Sequence, residues 1–244
     1  MLTPKLQSAI ADAYEAFAAF PLPEKLRASR LRNAREILAT LSSAPLPKLS
    51  GEQIGPYASW ALSTVGDDRD YRHFLPRIFE LSVTDPVWLG GEPPVIADKL
   101  NRASWRSWPT KQREAVLRFF RAAFDSVLST HPEEGQSADL WFCALVKLGE
   151  SASLTFELWR SNRSANAALH LASFVIDEAK HLQRHHEVRG PFWEDVDADI
   201  RRDVANCLTS DENKSFLKAV ADQVPQEDRF YLIDSALANL ERQF

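Results

Sequence analysis

TKQREAVLRFFRAAFDSVLST, residues 110–130, returns to an apolar side chain every three to four positions: Val116, Leu117, Phe120, Ala123, Phe124 and Val127. That interval matches the helical turn of about 3.6 residues, so these side chains share one face; a half-buried strand would alternate strictly instead. The same period recurs on both sides. Pro4, a favourable first-turn residue, opens a helix with Leu6, Ile10, Ala13 and Phe17 on one face, stopped by Pro21 and Pro23. A basic segment follows, with Leu31, Ile37, Leu38 and Leu41 expected to be buried. Ser50-Gly51-Glu52-Gln53 reads as a capping box. The helix it opens is expected to bury Ile54, Tyr57, Ala58, Ala61, Leu62 and Val65 and to close at Gly66. Asp67-Asp68-Arg69-Asp70 is rich in cap formers and leads into a segment where Pro76 either starts a helix or kinks one. Further helices are predicted over 94–104, 138–148, 151–161, 165–187, 192–208, 211–223 and 226–242.

Nothing in the chain competes with this reading. Glycine is scarce, at 51, 55, 66, 90, 91, 135, 149 and 190, each near the start or stop of a helical pattern. Asn-Gly and Asp-Gly hairpin signals do not occur. About ten helices joined by short turns predict an all-α fold, an irregular α/α superhelix resembling helical repeats, with a compact orthogonal bundle as the alternative. No strict repeat period aligns successive segments. The composition change around Thr84 to Pro94 reads as a loop inside one domain spanning 1–244.

Composition narrows the function classes. Apolar residues make up 45% and charged residues 26%, the profile of an ordinary globular protein. A net charge of −5 and a pI near 5.7 argue against coating nucleic acid through a global field. No apolar run approaches the length of a membrane span, and Met1-Leu2-Thr3-Pro4-Lys5 lacks the apolar stretch of a secretory signal, so the cytoplasm is the expected location and no membrane is expected. Cys143 and Cys207 lie in apolar helical patterns and read as small buried hydrophobes.

Two clusters carry candidate chemistry. On the helix over 165–187, Glu178, His181 and His185 fall on one face at the intervals that helical metal ligands use, and Glu178 sits within the stripe formed by Leu171, Val175 and Leu182. One helix supplies at most three ligands, however, and a second Glu-x-x-His segment is missing. Histidines also gather at helix ends for electrostatic reasons, and Gly190 places these near one. The second cluster is the stretch 98–121, with seven basic residues against two acidic ones. Arg102, Trp105, Arg106 and Trp108 interleave cations with indoles, a pattern that binds phosphates and stacks bases, or equally one in which tryptophans pack inward beneath arginines. Residues 187–244 lean the other way, with thirteen acidic and seven basic side chains. Asp67, Asp68 and Asp70 are explained by capping more simply than by a cation site. Dinucleotide-binding, phosphate-loop and nucleophile-elbow motifs do not occur; Gly149-Glu150-Ser151-Ala152-Ser153 lacks the second glycine of the last.

Three segments, Phe20-Pro21-Leu22-Pro23, Pro45-Leu46-Pro47-Lys48-Leu49-Ser50 and Gly66-Asp67-Asp68-Arg69-Asp70-Tyr71-Arg72-His73-Phe74-Leu75-Pro76-Arg77-Ile78-Phe79-Glu80-Leu81, together resemble a group of bacterial hypothetical proteins with no known activity. The likeness is most specific over 66–81 and looser around Phe192-Trp193-Glu194-Asp195. Members of that group often carry a cysteine cluster between the proline-rich segments. This chain has Arg27 to Arg35 there, so no metal or redox role passes to it. The resemblance implies a bacterial, cytoplasmic origin. The leading expectation is a scaffold that binds another protein and needs no cofactor. A metal-dependent enzyme using Glu178, His181 and His185 is the alternative, and nucleic-acid binding through Arg102, Trp105, Arg106 and Trp108 the weaker one.

Overall fold

A computed structural model describes residues 2–87 and 91–242. Among them the chain is helical, with isolated bridges at Ala28 to Val65 and Ala61 to Val65 in place of strands. No helix among the described residues is long and apolar enough to cross a membrane. The chain forms two compact units, Met1–Ala123 and Phe124–Phe244. The division falls inside a helix rather than in the 84–94 loop, of which residues 88–90 lie outside the described residues.

The first unit contains α1 (Pro4–Phe17), α2 (Ala34–Leu41), α3 (Gly51–Trp60), α4 (Asp68–Thr84), α5 (Pro93–Arg102) and most of α6 (Thr110–Val127). Local chemistry starts these helices. Thr3 Oγ1 accepts from the Leu6 N–H at 3.3 Å. Ser50 and Gln53 close the capping box in both directions, at 3.2 and 2.8 Å. Asp67 accepts from the backbone of Arg69 and Asp70, and Asp70 returns a bond to the Asp67 N–H at 3.0 Å. Asp67 and Asp70 are thus spent on the start of α4, and Asp68 on the Arg72 guanidinium and the Trp108 indole N–H. That helix runs on through Pro76, whose ring forfeits one main-chain bond but is itself buried. Its core face stacks Phe79 on Phe119 at 4.3 Å and sets Phe74 against Tyr57 at 4.6 Å. Tyr14 of α1 donates to Glu80 of α4 at 2.7 Å, and Arg77 holds the same carboxylate at 2.6 Å.

Two expectations fail in this unit. The helix opened by Ser50 stops at Trp60, not at Gly66: Ala61 turns to extended backbone and Leu62 adopts φ +62°, so Leu62 is not buried. The Lys99 ammonium fixes that end, donating to the carbonyls of Ser59 and Ala61 at 2.9 and 2.8 Å. Gly66 remains a required glycine. With φ +68°, a Cβ there would stand 3.1 Å from Asp70 Oδ2 and 3.3 Å from the Tyr57 hydroxyl. In the basic segment only Leu41 of the four expected core residues is buried; Ile37 and Leu38 are half-buried and Leu31 stands in water.

The second unit contains α7 (Ala138–Lys147), α8 (Ala152–Ser161), α9 (Ala165–His185), α10 (Ala198–Leu208), α11 (Asp211–Val220), the single turn α12 (Gln226–Asp228) and α13 (Ser235–Glu241). Trp159 is its aromatic hub, meeting Phe124, Phe142, Phe156 and Phe174 at centroid distances of 5.4 to 6.3 Å. α9 and α13 pack together through faces that include Ala236 and Leu240. The helix expected from 192 begins at Ala198, because residues 191–196 form turns held by Arg201, whose guanidinium donates to the Trp193 and Val196 carbonyls at 3.3 and 3.2 Å. The segment 226–242 is also not one regular helix: residues Arg229–Asp234 widen into a π-helical stretch between α12 and α13. Cys143 is buried, while Cys207 is half-buried, contrary to expectation; neither takes part in a disulfide.

Candidate functional site

Trp105 and Trp108 each expose 3% of their surface. Trp105 Nε1 donates to Asn101 Oδ1 at 3.1 Å and Trp108 Nε1 to Asp68 Oδ1 at 3.0 Å. Arg72 lies 4.4 Å from the Trp108 ring while also pairing with Asp68, and Arg106 lies 5.7 Å from the Trp105 ring. The indoles pack inward beneath guanidiniums, and neither offers a face on which a base could stack. Arg102 is exposed at the end of α5. Much of the remaining charge in the stretch is already used: Lys99 on the end of α3, Lys111 on Glu15 and Arg118 on Asp12, the last two at 2.6 Å.

At the end of α9 the chain reverses through His186, which takes a left-handed conformation with φ +53°. The reversal brings the Arg189 N–H to Glu178, whose Oε2 accepts it at 3.0 Å. Glu178 is 7% exposed. Burial pushes its carboxyl up to about 7; the Arg189 bond opposes this, and the nearby charges of Asp139 and Asp177 add to it. Asp139 and Asp177 are themselves raised, mainly by burial. Glu187 answers in the opposite sense. Burial raises its carboxyl, but hydrogen bonds from Arg189 at 2.6 Å and Arg201 at 3.1 Å outweigh that, and the net shift is downward. His181 and His185 stack with centroids 6.4 Å apart, the first half-buried and the second exposed. Glu178 is turned to a backbone donor, and among the described residues no three His, Cys, Asp or Glu side chains are grouped so as to hold a metal ion.

Sequence reasoning passed over His170. It is buried on α9 and locks three segments: Nε2 faces the carbonyls of Val127 and Thr130 at 3.2 and 3.0 Å, and Nδ1 faces the Ala138 N–H at 3.4 Å. Burial lowers its pKa, so it acts as a neutral imidazole donating from Nε2 and accepting at Nδ1.

Sequence reasoning also placed Leu31 in the core. Instead it is 88% exposed, at the rim of a groove of about 290 Å3 between α2 and α3. Ile37, Pro56 and Trp60 line the groove together with Glu36, Gln53 and Arg32, whose guanidinium covers a face of Trp60 at 3.8 Å. Residues 27–29 are tied to the turn after α3 by the Ser29 N–H to the Thr64 carbonyl at 2.9 Å and the Gly66 N–H to the Arg27 carbonyl at 2.7 Å. This clamp holds Leu31 outward. The Arg32 Nε and the Tyr57 hydroxyl are buried without a hydrogen-bond partner. The signal for this site was present in the sequence: Lys25, Arg27, Arg30, Arg32 and Arg35 occur with no acid between them.

The second unit exposes apolar groups as well. Leu154 and Leu158, one turn apart on α8, are 61% and 50% exposed. No protein-family model, curated protein or solved structure matches the chain.

Proposed function

We propose that this protein is a helical scaffold whose work is to hold another protein. The observation that carries the proposal is Leu31, a large apolar side chain kept in water at the rim of a concave groove of mixed apolar and polar lining. Surface leucines scattered singly need no explanation, but one beside a groove lined by Trp60, Ile37 and Pro56 marks an interaction site. The test is purification from native extract: a partner protein should accompany the chain through repeated isolations. Isolations that return no protein while a small molecule or metal stays bound would remove the proposal.

A second reading is supported by the Glu178 carboxyl, which is lifted to about 7, the range in which a group exchanges protons at neutral pH. On this reading Glu178, His181 and His185 serve a metal-dependent enzyme. Elemental analysis of protein isolated without an affinity tag decides it, since the reading requires stoichiometric metal.

A further inference from the structure

We infer that the groove between α2 and α3 takes an acidic segment of the partner protein, anchored by one bulky apolar side chain. The inference rests on the scaffold reading and adds the partner's chemistry to it.

Charge is the first argument. From Lys25 to Arg35 the chain carries five cations and no acid. The side chains of Lys25, Arg30 and Arg35 are exposed, and none forms an ion pair among the described residues. Of the acids that flank the run, Glu36 lines the groove itself and is engaged there by the Asn33 side-chain amide at 2.9 Å. The protein's own carboxylates leave these cations unneutralised, so a carboxylate-rich partner meets a complementary field.

Shape is the second. A groove of about 290 Å3 is at the small end of ligand pockets; it accommodates a leucine or phenylalanine side chain but not a folded surface. Leu31 on the rim and Trp60 in the wall supply apolar contact around it. An apolar anchor in a pocket with charges at the edge is the arrangement in which a short segment gains both affinity and specificity. A bilayer or a single nucleic-acid strand has the same sign of charge but fits less well. A flat surface leaves the concavity unfilled, and Arg32 lies over the Trp60 face on which a base would stack.

The test uses the full chain and fluorescence anisotropy with a short labelled peptide that alternates pairs of Glu with Leu and Phe. Two control peptides replace every Glu by Gln, or Leu and Phe by Ser. The first peptide should bind at least about tenfold more tightly than either control and weaken with added salt. Leu31→Asp, and separately Arg30→Glu with Arg35→Glu, should each weaken it about tenfold or more. All three side chains are exposed, so the urea midpoint should hold and report that folding is intact. Equal binding of the three peptides, or full binding by both variants, overturns the inference. So does binding of phosphatidylglycerol vesicles or a single-stranded oligonucleotide under conditions where the acidic peptide does not bind. The two readings fail separately. A co-purified partner retained undiminished by Leu31→Asp leaves the scaffold standing and removes the groove, whereas absence of any partner from the unaltered chain removes the scaffold itself.

Discussion

The stretches 99–113 and 25–35 are both runs of cations that meet a tryptophan in the fold, yet the fold treats them in opposite ways. In the first, Lys99 caps α3, Lys111 pairs with Glu15, and Trp108 lies buried between Arg72 and Phe17 with its N–H on Asp68. In the second, Arg32 covers Trp60, while Lys25, Arg30 and Arg35 are exposed, as is Leu31. Cation density therefore does not mark a binding surface. What separates the two is whether the fold supplies acids, carbonyls and indole edges to consume the charge.

The sharpest way to break the comparison is Trp108→Ala, expected to cost about 3–5 kcal/mol in urea unfolding because a buried indole leaves a cavity. Trp60→Ala should cost clearly less, since Trp60 is only half-buried. Equal losses would show that the two tryptophans play the same structural part. The α9 turn supplies an acidic counterpart, in which charge is consumed incompletely. Glu178 is raised from 4.5 to about 7, so between those values the unfolded chain releases its proton while the folded chain keeps it. This contribution to stability is complete below about pH 4.5 and is lost as pH rises through 7. Glu178→Gln should accordingly stabilise the protein by on the order of 2–3 kcal/mol at pH 8 and bring no gain at pH 4. A variant equally stable at both extremes relative to the parent would refute the raised carboxyl. Next in size, Lys99→Met removes two charge-assisted donors from the end of α3 and should cost about 1–3 kcal/mol by the same measurement. Smallest is the paired change Arg30→Glu and Arg35→Glu, which should leave stability within about 0.5 kcal/mol. A larger destabilisation would mean that these arginines are consumed within the fold after all.

Much of the first unit was legible because its signals are local. Ser50 with Gln53 and Asp67 with Asp70 each complete a cap within three residues, and the apolar period of residues 110–127 survives as α6. What escaped depends on distant partners. The end of α3 is set by Lys99, some forty residues further on, so a helix that pattern alone carries to Gly66 stops six residues earlier. Leu31 fits a helical period but is clamped outward by pairing between residues 27–29 and 64–66. In the second unit the place of Glu178 on an apolar stripe was readable, whereas its partner was not. The Arg189 N–H arrives only because His186 turns the chain back, and no spacing rule encodes that reversal.

The widened coil at Arg229–Asp234 fits one more residue into its turns than a regular helix of the same rise would hold. Removing one residue there would let the coil rewind to ordinary pitch with Ala236 and Leu240 still in register, whereas a deletion within the regular turns of α13 would swing the residues beyond it about 100° around the axis. The stretch is consequently tolerant in length as well as in spelling: a one-codon deletion at the outward-facing Phe230 or Tyr231 should be absorbed where the same deletion inside α13 is not.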